Sequence, residues 1–254
     1  MTSGFARDLA RGLHCHRRGW YAEGARFASR AQVRASPKQL AEVAALWHAL
    51  TRYDEAYEAA SQAGDHLIMG DVERRRARYD PAEAHLRRAG DSVEARLALG
   101  VLCKETGRLD EAEGWYRRAL DEAQGLTRAD ALHNLAGLAH ARGIGDGEDH
   151  AREAVDIRRR ILGPRHHLVA TDLMVLGAVL AREEIFHEAM AILLASVGPD
   201  HYDVAVCQVN LAHLDRLAHR PEKERERLAD ALRVKRAVLG HDHPEVTRLT
   251  ARSL

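Results

Sequence analysis

Proline is scarce, with 6 in 254 residues, so long stretches are free of the residue that breaks helices. Aromatic residues make up only 5% of the chain, and β-branched residues are thin beside alanine, leucine, arginine and glutamate, a bias toward helix that leaves no sheet to expect. Cysteine is nearly absent. Cys15, Cys103 and Cys207 lie far apart, form no Cys-x-x-Cys motif and, being three, cannot all pair within one chain, which fits a reducing, cytoplasmic setting. Net charge is also missing: 38 basic against 38 acidic residues leave no global field to attract nucleic acid or anionic lipid, so any charge selectivity is local. No run reaches the roughly 18 apolar residues of a membrane helix, and Met1 to Arg11 lacks the hydrophobic core of a signal peptide, so neither a membrane span nor export is expected. What is present is 46% hydrophobic and 30% charged residue, the balance of a soluble helical protein, and the alanine- and arginine-rich usage is consistent with a high-GC bacterial gene.

Internal repetition carries the fold. From Ala95 to Leu120 the chain reads ARLALGVLCKETGRLDEAEGWYRRAL. Gly100 and Ala112 would let two antiparallel helices approach closely, Leu99, Leu109 and Tyr116 would fill the space between pairs, and Gly107 would break the first helix. This segment resembles the tetratricopeptide repeat. Aligning the close-contact position of the first helix finds further copies at Gly12, Ala44, Gly70, Ala136, Gly177 and Ala212, seven in all with Gly100. Second helices open with Gly19-Trp20-Tyr21-Ala22-Glu23, Tyr53-Asp54-Glu55-Ala56, Tyr79-Asp80-Pro81-Ala82 and Leu109-Asp110-Glu111-Ala112, acidic where a helix N-terminus favours negative charge. Pro81 belongs in the first turn of its helix.

The C-terminal half is similar to the longer repeats of kinesin light chains, whose second helix runs into a loop of the form LGPDHPxVA. Three loops match: Leu162 to His167 followed by Val169-Ala170, Gly198 to His201 followed by Val204-Ala205, and Leu239 to Pro244 followed by Val246. Gly198 and Gly240 are 240 − 198 = 42 apart, whereas Gly163 and Gly198 are 198 − 163 = 35 apart, so seven residues are missing. Seven is close to two helical turns, and a stunted second helix around Ala189 to Ala195 is expected. The first three repeats are spaced 32, 26 and 30 residues and Gly64 to Asp71 is compressed; Ile144-Gly145-Asp146-Gly147 reads as a longer loop, and Glu245 to Arg252 as a short capping helix. The expectation is an all-α, right-handed α-solenoid of about seven antiparallel helix pairs with a short C-terminal capping helix. It forms a single domain over 1–254, with short, degenerate repeats in 1–125 and longer kinesin-light-chain-type repeats in 126–254.

The resemblance implies a concave groove lined by the first helix of each repeat. Counting from the close-contact residue by the helical period places His16, Arg17, His48, Arg74, Arg75, Lys104, Glu105, His133, His140, Arg182, His213 and Arg216 on that surface, with Asn134 and Asn210 beside it. Only one of these fourteen is acidic, which suits an acidic peptide, a phosphorylated segment or a C-terminal carboxylate; the plainer alternative is an arginine-rich, solvated surface. In peptide-binding members of the family an asparagine before the Leu-Ala pair bonds the ligand backbone, and Asn134-Leu135-Ala136 and Asn210-Leu211-Ala212 match, while Val175 interrupts the ladder.

Other chemistries find less support. His14 with His16, His166 with His167, and Glu184 with His187 offer metal-ligand types without the density zinc needs, so no metal or other cofactor is expected; His201, His241 and His243 should organise the inter-helix loops. No GxSxG, GxxxxGK[ST] or GxGxxG pattern occurs, which argues against an enzyme. Arg74 to Arg78 and Arg158 to Arg160 read as solvated helix faces, and direct nucleic-acid binding is not expected. The function expected is a non-catalytic protein- or peptide-binding adaptor. The alternatives are a ligand-sensing regulatory module, or an enzyme or metal-binding protein using groove histidines. Self-association through an uncapped N-terminal face around Leu9 to Leu13 is a further expectation.

Overall fold

The computed structural model describes residues 4–143 and 147–252, and among these every regular element is helical. The helices pair in chain order: α1 (Gly4–Arg17) with α2 (Tyr21–Arg34), α3 (Leu40–Ala49) with α4 (Tyr53–Ala63), and α5 (His66–Arg75) with α6 (Tyr79–Arg88). They continue as α7 (Val93–Glu105) with α8 (Leu109–Glu122), α9 (Gly125–Arg142) with α10 (Gly147–Leu162), α11 (His167–Leu180) with α12 (Glu183–Ser196), and α13 (Tyr202–Leu217) with α14 (Pro221–Leu239). The last helix, α15 (Pro244–Arg252), packs on α14 and buries Val246 and Leu249 beside Leu228 and Leu232, as a cap should. Of the expected loop at 144–147, residues 144–146 lie outside the described residues and Gly147 opens α10. None of the helices is long and apolar enough to cross a membrane, among the described residues.

All seven second helices carry an acidic residue in the first turn, from Glu23 in α2 to Glu222 in α14, and Pro81 sits third in α6. Each pair turns through one residue with left-handed backbone: Gly19, Thr51, Ala77, Gly107, Gly143, Ala181 and His219. In six pairs this residue follows the close-contact position by seven (107 − 100, for example), and in the α11–α12 pair by four (181 − 177). The seven-residue deletion is therefore shared: three residues leave the end of α11 and four leave α12 and its exit, rather than all coming from 189–195 as the sequence suggests. The 14-residue α12 is still short beside the 19-residue α14. The compressed segment at 64–71 resolves into a two-residue link, in which Gly64 ends α4 with φ +69° and the Asp65 carboxylate accepts the Ile68 N–H at 3.0 Å.

Packing explains the small residues. A β-carbon on Gly100 would lie 2.3 Å from the Tyr116 ring, and one on Gly70 or Gly177 would meet Leu86 at 2.6 Å or Phe186 at 2.9 Å. Tyr116 thus fills the space inside its own pair, over the glycine, rather than the space between pairs. In the α11–α12 pair the turn comes one helical turn early, so the ring over glycine is Phe186 from the first turn of α12.

The chain divides into two compact units, residues 1–98 and 99–254, the boundary falling inside α7. In the first, Val43, Leu46, Trp47, Leu50 and Val72 form the centre of the core. In the second, Leu173, Leu176, Phe186, Leu193, Val204 and Leu211 do so. Cys15 in the first unit and Cys103 and Cys207 in the second are buried, and none is in a disulfide. The Cys207 thiol is pushed up to about 12 by burial, which keeps it protonated and inert.

Candidate functional site

Within each unit the first helices stand side by side, α1–α3–α5 in one and α9–α11–α13 in the other, while α2, α4, α8, α10 and α12 also pack on the first helix that follows each. This layering puts the first-helix side chains on a common face, where the candidate residues fall into two groups.

One group is engaged with carboxylates that sequence inspection overlooked. In the first unit His48 Nε2 lies 2.6 Å from Asp71 Oδ2, Arg74 Nε donates to Asp71 Oδ1 at 2.8 Å, and Arg75 Nε approaches Asp71 at 3.7 Å. Burial alone would raise the Asp71 pKa, but the hydrogen bond from His48 and the charges of Arg74, His48 and Arg75 outweigh it and hold the carboxyl well below its usual range. In the second unit Asp172 on α11 is fully buried; it accepts Arg158 Nε at 2.5 Å from α10 and His133 Nδ1 at 2.8 Å from α9, and Arg158 also bonds Asp130 at 2.6 Å. Asp215 on α13, equally buried, takes Arg227 Nε at 2.6 Å and Arg220 Nε at 2.9 Å. The arginine runs are correspondingly not solvated throughout: Arg74 is 7% and Arg158 4% exposed. A signal for these acids exists in the helical period. Asp172 lies four residues before Leu176 and Asp215 four after Leu211, on the stripe that faces the core.

The other group faces outward in the second unit. Lys104 reaches from α7 to α9, its Nζ 3.7 Å from where a β-carbon on Gly137 would sit. His140 is exposed at the end of α9. On α13 Arg216 Nη2 lies 3.1 Å from His213 Nδ1, and Asn210 is half-buried one turn before. The His213 pKa is lowered first by burial and then by the charges of Arg216, Arg252 and His140, with Glu224 opposing, which places side chains of α9, α13 and α15 in one electrostatic neighbourhood. Arg252 is the residue the sequence reading lacks. Asn134 donates its amide N–H to the Asp130 carbonyl at 3.0 Å, one turn back on α9. Between these walls α11 contributes Val175 and Ala178, both partly buried. Arg182 is exposed immediately before α12, beyond the early end of α11 and so off the first helix. In the first unit His16 meets Tyr21 edge-on, with ring centres 6.0 Å apart, and Arg17 is exposed; in the second Glu105 is exposed at the end of α7.

The loop histidines have a structural task. Nδ1 of His166, His201 and His243 accepts the backbone N–H two residues on, at 3.2, 3.1 and 3.3 Å, capping α11, α13 and α15. His241 is exposed in the same loop as His243, and His166 takes the part expected of it. Among the described residues no three His, Cys, Asp or Glu side chains converge as a metal site would require.

A family model described as tetratricopeptide repeat matches residues 128–168 and 204–245, that is α9–α10 and α13–α14 with the loops that follow them. No curated protein is detectably similar in sequence. Among solved structures, the APC/C hetero-tetramer Cut9–Hcn1 matches with a TM-score of 0.62 at 13% identity over 97% of this chain, which spans 48% of that one. A Rap protein complexed with Competence and Sporulation Factor gives 0.55 at 10% identity, covering 98% of this chain and 69% of that one. A signal-transduction ATPase with a tetratricopeptide repeat sensor from Pyrococcus horikoshii gives 0.50 at 12% identity, over 88% of this chain and 39% of that one. Identities this low speak to fold alone. The chain thus carries two segments, α9–α10 and α13–α14, that match the tetratricopeptide repeat, and it shares the helix-pair fold of these neighbours.

Proposed function

We propose that the chain is a non-catalytic adaptor whose first-helix face, between α7 and α15, binds an acidic peptide segment or the C-terminal carboxylate of a protein partner. The observation that carries this reading is the cluster of Lys104, His140, His213, Arg216 and Arg252 on one face, gathered from four helices of a chain with no net charge. The charges of Arg216, Arg252 and His140 act on His213 in one direction, with Glu224 opposing, a local excess that favours an anionic partner. Asn134 and Asn210 would bond the peptide backbone, and the low relief of Val175 and Ala178 leaves room for it. Arginine supplies bidentate contacts to a carboxylate or phosphate. Two neighbours of like fold, Cut9–Hcn1 and the Rap protein, are seen in complexes, which supports a role in binding. In this reading residues 1–254 act as one repeat domain in the cytoplasm, the repeats of 126–254 are of the kinesin-light-chain variety, and the α1 face around Leu9 to Leu13 is free to meet a second copy.

The test is fluorescence anisotropy against a peptide library in which each sequence ends either in a free carboxylate or in an amide, with and without acidic residues. Selection of the acidic or free-carboxylate forms, lost on Arg216→Glu and weakened by the paired change Asn134→Ala with Asn210→Ala, supports the reading. Indifference of the parent protein to both features would sink it.

A further inference from the structure

Away from that face, in the first unit, one side of the α1–α2 pair is uncovered. Gly12 of α1 faces α3, where an added β-carbon would lie 2.6 Å from the Leu46 side chain, and the helical period turns Ala6, Ala10 and His14 to the opposite side. Among the described residues no third helix packs there, since α1 and α2 make their main contacts with one another and with α3. That side holds a cleft of about 660 Å³, lined by Ala6 and Ala10 of α1, by Trp20 just before α2 and by Phe27 on it. Trp20 is 49% exposed, and Leu13, about two turns on from Ala6, is 38% exposed. Arginines surround these apolar groups. The guanidinium carbons of Arg11 and Arg30 lie 5.5 and 5.7 Å from the centre of the Phe27 ring, that of Arg18 lies 5.8 Å from Trp20, and Arg7 lines the cleft. None of the four makes an ion pair among the described residues, and Glu23 is the only acid in the described lining.

The register of the array indicates what fits there. Arg18 directly precedes the left-handed turn residue Gly19, as Arg76 precedes Ala77 and Arg142 precedes Gly143. Arg76 pairs with Asp54 and Arg142 with Asp110 at 2.6 Å, in each case a carboxylate in the first turn of the second helix one pair earlier. Arg18 holds the same position without such a helix among the described residues. We propose that the cleft docks an amphipathic helix of a protein partner, whose acidic first turn meets Arg18 and whose apolar stripe lies along Ala6, Ala10, Leu13, Trp20 and Phe27. The incoming helix takes the place that α4 holds against α5 and α8 against α9. Its first-turn carboxylate is stabilised by its own helix N-terminus as well as by Arg18. Tryptophan and arginine within an apolar patch are the side chains that anchor such interfaces. Charge chooses among the occupants open to this face: a second copy set against it would bring the same four arginines together, whereas an acidic helix neutralises them. The site shares no residue with the face between α7 and α15.

The experiment measures, by fluorescence anisotropy on the full-length protein, two stapled helical peptides of about four turns. Both carry leucine at i, i+3, i+4 and i+7; one begins Asp-Glu and the other Lys-Lys. Expected are saturable binding of the acidic-start peptide, about tenfold or more tighter than the basic-start one, and loss of that preference in Arg18→Glu. Trp20→Ala should weaken the acidic-start peptide about tenfold. Arg216→Glu, on the other face, should leave this binding at the parental level, so a failure of one site is told from a failure of the other. Arg18 and Trp20 are exposed, and a far-UV spectrum checks that each variant is folded. No saturable binding, equal affinity for the two peptides, or a preference unchanged in folded Arg18→Glu overturns the proposal. So does a parent that sediments as a dimer and turns monomeric in Trp20→Ala, or a single-stranded oligonucleotide that displaces the acidic-start peptide.

Discussion

His201 is 4% exposed at the start of α13, and its Nδ1 lone pair is committed to the Asp203 amide, so protonation would break a cap and place a charge in the core. Burial pushes its pKa down to about 4, while in the unfolded chain it takes the ordinary value near 6.5. The unfolded state therefore gains a proton that the folded state refuses as pH falls. The stabilisation is complete above about pH 6.5 and drains away between there and about pH 4, up to about 3 kcal/mol. The melting temperature of the parent should fall more steeply across that window than that of His201→Asn, whose amide oxygen caps without titrating; equal slopes would remove His201 as the source. Asp172 offers a second test at this scale. Asp172→Ala leaves the buried Arg158 short of a partner and should cost about 3 to 5 kcal/mol in urea unfolding. Asp110→Ala removes a fully exposed partner of Arg142 and should leave stability close to the parent's. A similar loss in both would mean that burial does not set the strength of these pairs.

The element scale is set by the turn inside each pair. Glycine at 19, 107 and 143 announces a left-handed residue in the sequence, but Thr51, Ala77, Ala181 and His219 adopt the same conformation without announcing it. The helix pair dictates the turn, and the side chain tolerates it at a cost of roughly 1 to 2 kcal/mol. Ala77→Gly and Ala181→Gly should accordingly stabilise by about 0.5 to 1 kcal/mol, the relief of strain less the entropy glycine adds to the unfolded chain, and Gly107→Ala should destabilise by about 1 kcal/mol. Urea midpoints decide it, and a loss at either alanine would show those turns to be unstrained. The same turns explain what was legible. Seven pairs and a cap follow from small residues at a fixed offset, because close helix crossings accept little else. How the deletion divides between α11 and α12 does not, since removing three residues before the turn and four after it, or all seven after it, satisfies the same spacing in a linear chain.

At the scale of the molecule, similar ion pairs recur between successive helix pairs. Arg76 reaches back to Asp54, Arg142 to Asp110 at 2.6 Å and Arg220 to Glu183 at 2.8 Å, each from the turn of one pair to the first turn of the preceding second helix. Apart from Arg252, the cations of the candidate face follow from offset counting, yet the counting could not tell His133 and Arg74, held on buried or half-buried carboxylates, from His140 and Arg216, which face outward, because the acids belong to neighbouring turns or helices. Fastening of this nearest-neighbour kind makes stability a sum over pairs and their interfaces rather than a property of one core. The Asp172 network joins α9, α10 and α11, so its loss should act on those helices and their immediate neighbours. Native-state hydrogen exchange on Asp172→Ala should show faster exchange in α9 to α12 with α1 to α4 near parental rates. Uniform acceleration along the chain would instead mean that the array unfolds as one cooperative body, and the cost of breaking any single network would then be shared by every helix.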